Sequence, residues 1–160
     1  MPFAPPPLPP PDPAAAAQAD AHGVTALLLT EDGRFLLQLR DDIPGIALPG
    51  HWACFGGHAE AGENAEQAMR RELDEELGYR PAALTLFHRA LYTLPRPVRP
   101  IVRNDWFLAP LPLAALPALR QQEGAGMALF SLEQARNLPK ISPFDLCVMM
   151  LLAQWPRLYP

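Results

Sequence analysis

Seven of the chain's 17 acidic residues crowd into one short stretch: Glu60, Glu63, Glu66, Glu72, Asp74, Glu75 and Glu76. Carboxylates this close repel one another unless something positive gathers them. Residues 64–77 have a helical composition, and Gly78 is a natural C-terminal stop. At about 100° per residue, with Glu72 at zero, Glu76 falls near about +40° and Glu75 near about −60°. Ala65, Ala68, Met69 and Leu73 lie between about −40° and +100°. The glutamates therefore overlap the apolar stripe, the side that should face the core. Glu72/Glu76 and Glu72/Glu75 are like-charged neighbours, each pair costing roughly 0.2–0.5 kcal/mol even when exposed. A divalent cation removes the conflict. Magnesium takes hard oxygen ligands and shares its octahedral shell with waters and phosphates. Three convergent carboxylates at a cleft edge would hold it there. The ion would then neutralise a diphosphate, activate a water and steady a leaving oxygen. The helix alone leaves a plain acidic surface helix open as the alternative.

The elements that must position this helix can be read around it. Residues 1–20 form a Pro/Ala-rich low-complexity tail that cannot build a packed core; residues 21–160 form the domain. Residues 23–30 and 34–39 read as strands joined by the turn Glu31-Asp32-Gly33. Residues 41–50 are a loop, and residues 51–55 a short strand running into Gly56-Gly57. Residues 82–94 and 101–109 read as strands around a proline-rich turn. Residues 110–126 are irregular, with one helical turn near 113–120. A strand follows at 127–130, a helix capped by Ser131 runs through Asn137, and Ser142-Pro143 opens a last helix to about Gln154. This order predicts a mixed sheet covered by helices on both sides.

The segment from Gly57 to Tyr79, GHAEAGENAEQAMRRELDEELGY, resembles the box of the Nudix hydrolases. That box is a glycine, five residues, Glu, seven residues, then Arg-Glu-aliphatic-x-Glu-Glu-x-Gly-aliphatic. Gly57, Glu63, Arg71, Glu72, Leu73, Glu75, Glu76 and Gly78 occupy every fixed place. Only Tyr79 departs, where an aliphatic is usual. A chance match has a probability on the order of one in ten million, which sets the surface-helix alternative aside. The resemblance extends loosely over residues 23–154 and implies an α/β class fold, the Nudix-type α/β/α sandwich with a mixed β-sheet. It implies Glu72, Glu75 and Glu76 as metal ligands together with the Gly57 carbonyl. Glu72 is also a candidate for the base that takes a proton from water. Glu63, Arg71 and Gly78 become structural members of the box, with Glu63 paired to Arg71. The resemblance also implies a distal glutamate, Glu123, as a further metal ligand or base, the alternative being a solvated loop charge.

Outside the box the bland alternatives carry more weight. Arg40, His58 and Arg103 are candidate substrate-binding residues, each set against a surface or loop role. Trp52 reads as core packing, and Cys54 and Cys147 as buried thiols. A net charge of −4 leaves no basic footprint for stable nucleic-acid binding. No apolar run is long enough for a membrane span. The N-terminus lacks a secretory pattern, so a cytoplasmic location is expected. A homodimer is compatible with the sequence. The implied activity is magnesium-dependent hydrolysis, with manganese as the alternative ion. Its leading substrate is a nucleoside diphosphate linked to another moiety, of the ADP-ribose or nucleotide-sugar type. The alternatives are a (d)NTP pyrophosphatase of house-cleaning type and, from another class, a non-catalytic Nudix-fold ligand-binding regulator.

Overall fold

The computed structural model describes residue 14 and residues 19–93 and 101–158. Most of the proline-rich tail lies outside the described residues, as do Pro95 and Arg99 of the proline-rich turn between the strands expected at 82–94 and 101–109.

Strand β1 (Ala21–Leu29) is the axis of the sheet. Its alternating side chains feed two cores. Val24, Ala26 and Leu28 are buried on one face, and Leu27 on the other. The turn after β1 closes through the Thr30 N–H to the Arg34 carbonyl (2.9 Å), and β2 (Phe35–Leu39) returns antiparallel. Where one short strand is expected at residues 51–55, the structure has two: β3 (Trp52–Ala53) and β4 (Phe55–His58). The division at Cys54 lets β3 pair with β2 while β4, glycines included, pairs with β1. Strands β5 (Thr85–Thr93) and β6 (Ile101–Pro110) are antiparallel to each other, and β6 runs parallel to β1. Strand β7 (Gly126–Phe130) pairs with β2. The sheet is mixed, in the order β3-β2-β1-β6-β5, with β4 beside β1 and β7 beside β2.

Helix α1 (Ala65–Leu77) covers one face, burying Ala68, Met69, Leu73 and Leu77 against Val24, Leu28, Phe55 and Phe107. Helices α2 (Leu132–Arg136) and α3 (Pro143–Leu158) lie at the other, where Val148, Met149 and Leu152 join Leu27, Leu37, Phe87 and Trp106. Trp52 packs partly buried against that second core, edge-on to Phe130. The thiol expectation needs a correction. Cys54 is buried, but Cys147 is exposed, because residue 147 falls on the outer side of α3 while Val148 and Met149 take the inner one. No described helix is long and apolar enough to cross a membrane.

Candidate active site

Helix α1 is fixed at both ends before it offers any chemistry. Asn64 caps it by accepting the Gln67 N–H, while the Gln67 side chain accepts the Asn64 N–H, each at 2.9 Å. At the other end Gly78 takes φ 63°, and its N–H reaches the Asp74 carbonyl at 2.8 Å. A side chain in that left-handed conformation costs about 1–2 kcal/mol, which explains the glycine. Tyr79, the departure from the box pattern, packs on the first core and donates its hydroxyl to the Pro110 carbonyl at 2.6 Å.

Arg71 is the hub between this helix and the loop before it. Its Nε and Nη2 donate to the two Glu63 oxygens at 2.8 and 3.0 Å, and Nη2 also donates to the His58 carbonyl at 2.9 Å. Its Nη1 donates to Glu72 at 2.9 Å and to Glu75 at 3.0 Å. Glu63 also accepts the Glu60 N–H at 2.9 Å. The Arg71 guanidinium, helped by that N–H, holds the Glu63 carboxyl down at about 2.

Beside the hub lies a cleft of about 530 Å³. Glu72 and Glu76 line it from α1, Gly56, Gly57 and His58 from β4, and Glu123 from the loop before β7. That loop is tied down by the Gln122 N–H to the Glu76 carbonyl (2.9 Å) and the Ala125 N–H to the Leu39 carbonyl (2.8 Å). The glycines are explained by crowding. A Cβ on Gly57 would overlap the Glu72 carboxylate, and one on Gly56 would meet the β1 backbone at Val24 and Thr25. Glu72 accepts the His58 N–H at 3.3 Å.

Glu76 is the unusual member. It is only 9% exposed, and its Oε2 has no hydrogen-bond partner among the described residues. Burial raises its carboxyl to about 8, with the Glu72 and Glu123 charges adding to the rise; a backbone hydrogen bond from Gly56 and the charge of Arg40 oppose it.

The structure thus brings Arg40, Gly57, His58, Glu72, Glu76 and Glu123 to one cleft. Two expected residues stand apart. The Glu75 side chain is 60% exposed and is taken up by Arg71. Arg103 points to β1 instead, with Nη2 2.8 Å from His22 Nδ1, and His22 in turn contacts Asp105 at 3.0 Å. Arg40 forms no ion pair with Asp41 or Asp42; its Nε donates to the Ala47 carbonyl at 2.8 Å.

A second, smaller pocket of about 130 Å³ shares Arg40, Gly56, Gly57 and His58 with the cleft. Its walls include Asn104, whose amide donates to Thr25 Oγ1 at 3.1 Å, and Tyr92 stacked on Phe144 at 4.1 Å. Sequence reasoning missed Asp145 on the same wall. Its buried carboxylate accepts from the Trp106 ring N–H at 2.9 Å and the Cys54 N–H at 3.1 Å. An aspartate in a helix's first turn reads as a surface cap, so nothing local announces that role. A larger apolar groove of about 720 Å³ lies between the ends of β1 and β6 and α3. Among the described residues its only charged lining residue is Glu31, whose carboxylate would repel a phosphate.

Residues 20–152 match the NUDIX domain. The chain belongs to the NUDIX family. Nucleoside triphosphatase NudI of Escherichia coli O139:H28 (strain E24377A / ETEC) is 49% identical over 51 residues, 32% of this chain and 36% of that protein. The chain thus spans about a third of the length of the curated relatives it matches. The MutT protein of Methanosarcina mazei Go1 superposes with a TM-score of 0.70 at 19% identity, covering 86% of this chain and 95% of that one. The NUDIX domain of Shewanella oneidensis NrtR, complexed with ADP ribose, gives 0.70 at 20% identity, covering 91% and 93%. At these identities the two structures establish the shared α/β fold with flanking helices.

Proposed function

We propose that this chain hydrolyses a phosphoanhydride bond of a nucleotide with the help of magnesium, manganese being the alternative ion. The observation that carries the reading is Glu76 Oε2, a buried carboxylate oxygen without a donor, beside two further carboxylates. A buried, unpaired polar group of this kind costs on the order of 1–3 kcal/mol or more, and a cation is the partner that removes the cost. No three carboxylate, thiol or imidazole groups among the described residues already form a cage around one point. Two carboxylates and a carbonyl suit magnesium, which keeps several positions for water and phosphate. Glu72, Glu76 and the Gly57 carbonyl would hold the ion, and Glu75 joins them once its side chain leaves Arg71.

When bound, the ion supplies charge neutralisation on the phosphates and lowers the pKa of a bound water. The chain supplies the rest. Glu123 lines the cleft with no hydrogen bond to its carboxylate among the described residues, so it is free to take the proton of the attacking water. Glu72 is less free, because Arg71 and the His58 N–H occupy it. As the water oxygen bonds to one phosphorus, the bridging P–O bond breaks and the bridging oxygen leaves with the other phosphate. Arg40 stands where the cleft meets the second pocket, placed to bind a phosphate as charge shifts. The second pocket, with its stacked rings and buried amide, suits the nucleoside.

The leading substrate is a nucleoside diphosphate joined to another moiety, giving a nucleoside monophosphate and a phosphorylated moiety. The ADP ribose held by the NrtR domain supports it. The second reading is a nucleoside triphosphate, favoured by the name of the NudI relative. The test is magnesium-dependent turnover of nucleotide sugars, ADP-ribose, dinucleotides and dNTPs by wild type and Glu76→Gln. Loss of at least a hundredfold in the variant, with an unchanged circular dichroism spectrum, is expected. Full activity in the variant contradicts the assignment. Tight nucleotide binding by a wild type that never turns over favours the non-catalytic regulator.

A further inference from the structure

The loop between β2 and β3 lines with aliphatic residues a cleft whose other lining is mainly charged, polar or glycine. Ile43 and Ile46 line it together with Asp41 from the same loop. Ile43 is 52% exposed, the most exposed large hydrophobic residue among those described. The loop is held in place: the Arg40 guanidinium grips the Ala47 carbonyl, and the Gly50 N–H donates to the Asp41 carbonyl at 3.1 Å. It also contains Leu48 at φ 52°, the only non-glycine residue described with a positive φ, a conformation that costs energy and persists only where its surroundings impose it.

The lining is chemically specific. Among the described residues, Asp41, Glu60 and Glu123 form no ion pair, and Arg40 is the only arginine or lysine lining the cleft. A terminal phosphate placed against this wall would meet carboxylates and aliphatic carbon, with one guanidinium already at the junction to the second pocket. A neutral, hydroxylated group meets a better match. Its hydroxyls donate to carboxylates, and its C–H face covers Ile43 and Ile46, removing apolar surface from water.

We propose that Asp41, Ile43 and Ile46 form the subsite for the moiety on the far side of the scissile bond, and that this moiety is an uncharged polyhydroxylated group such as a sugar. This rests on the phosphoanhydride hydrolysis proposed above and chooses between its two substrate readings. Ile43 and Asp41 are specificity-determining residues; the reacting phosphates lie with Glu72 and Glu76.

The experiment compares three substrates sharing one nucleoside: the diphosphate sugar, the diphosphate methyl ester and the triphosphate. Wild-type kcat/KM is expected to be at least tenfold higher for the sugar than for the other two. Ile43→Ser is expected to cut that preference by about tenfold, the discrimination typical of lost aliphatic contacts, mainly through KM. Asp41→Asn is expected to lower it by severalfold, and Ile43→Val to retain most of it. Because Ile43 is half exposed, these variants should fold, and matched melting curves check this. A wild type that prefers the triphosphate, or an Ile43→Ser variant with unchanged preference, overturns the subsite. A wild type that hydrolyses none of the three with magnesium, nor any substrate of the wider panel, overturns the underlying activity instead.

Discussion

Glu76 has two needs that a single ion meets. Burial and the nearby Glu72 and Glu123 charges raise its carboxyl to about 8, so at pH 7 the metal-free side chain is mostly protonated. A cation binds the carboxylate, so its uptake at pH 7 should release close to one proton from this group, about 0.9 by simple titration. At pH 9.5 it should release almost none. Calorimetry in two buffers of different ionisation enthalpy reads the difference, and uptake without proton release at pH 7 contradicts the burial. The sign for stability follows. A carboxyl raised on folding favours the folded state most below its unfolded value of 4.5. That contribution falls as pH rises through about 8. Magnesium should restore melting temperature most at the alkaline end. Tyr79→Phe tests the tyrosine's adaptation. Removing its bond to Pro110 should cost about 0.5–1.5 kcal/mol in denaturant unfolding while leaving metal-dependent turnover in place.

At the scale of elements, the pair Glu63–Arg71 decides whether α1 and the loop before it act as one body. Glu63 lies at about 2, below its ordinary 4.5, because it is bonded to Arg71 and the Glu60 N–H. Its support is present above about pH 4.5 and is lost as pH falls toward 2. The stability gap between wild type and Glu63→Gln should therefore be widest at neutral pH and close on acidification. A gap that does not change between pH 7 and 2 would show that charge plays no part. Helix α3 makes a separate prediction. Cys147 on its outer side should react with a thiol reagent in the native protein, whereas buried Cys54 should react only on unfolding. Two fast-reacting thiols would contradict the packing of α3 against Leu27 and Trp106.

Across the whole molecule, much of the fold was legible because its signals are local. The β-rich apolar run of β1, the Glu31-Asp32-Gly33 turn, the Gly78 stop and the Ser131 cap each depend on neighbours within a few residues. The overlap of glutamates with the apolar stripe of α1 likewise pointed to the edge where Glu72 and Glu76 meet the cleft. What escaped depends on distance. The break at Cys54 is set by which strand each half meets. The burial of Asp145 depends on Trp106 and Cys54, 39 and 91 residues away. Glu75 and Glu76 are adjacent in sequence, yet one faces Arg71 and solvent and the other the cleft, since 100° of helix rotation separates them. Arg103 illustrates a related limit. Strand alternation alone puts it on a face with Asp105 and Phe107, but only the pairing of β6 with β1 sets it beside His22. The loop at residues 41–50 carried no motif, so its aliphatic wall became visible only once the chain folded over the cleft.

The most direct measurement is a crystal structure with manganese and a non-hydrolysable nucleotide, the ion located by its anomalous scattering. A peak within ligand distance of the Glu72 and Glu76 carboxylates and the Gly57 carbonyl, in contact with phosphate oxygens, is the predicted result. An ion bound elsewhere, or nucleotide bound with Glu76 Oε2 still unpartnered, would contradict it.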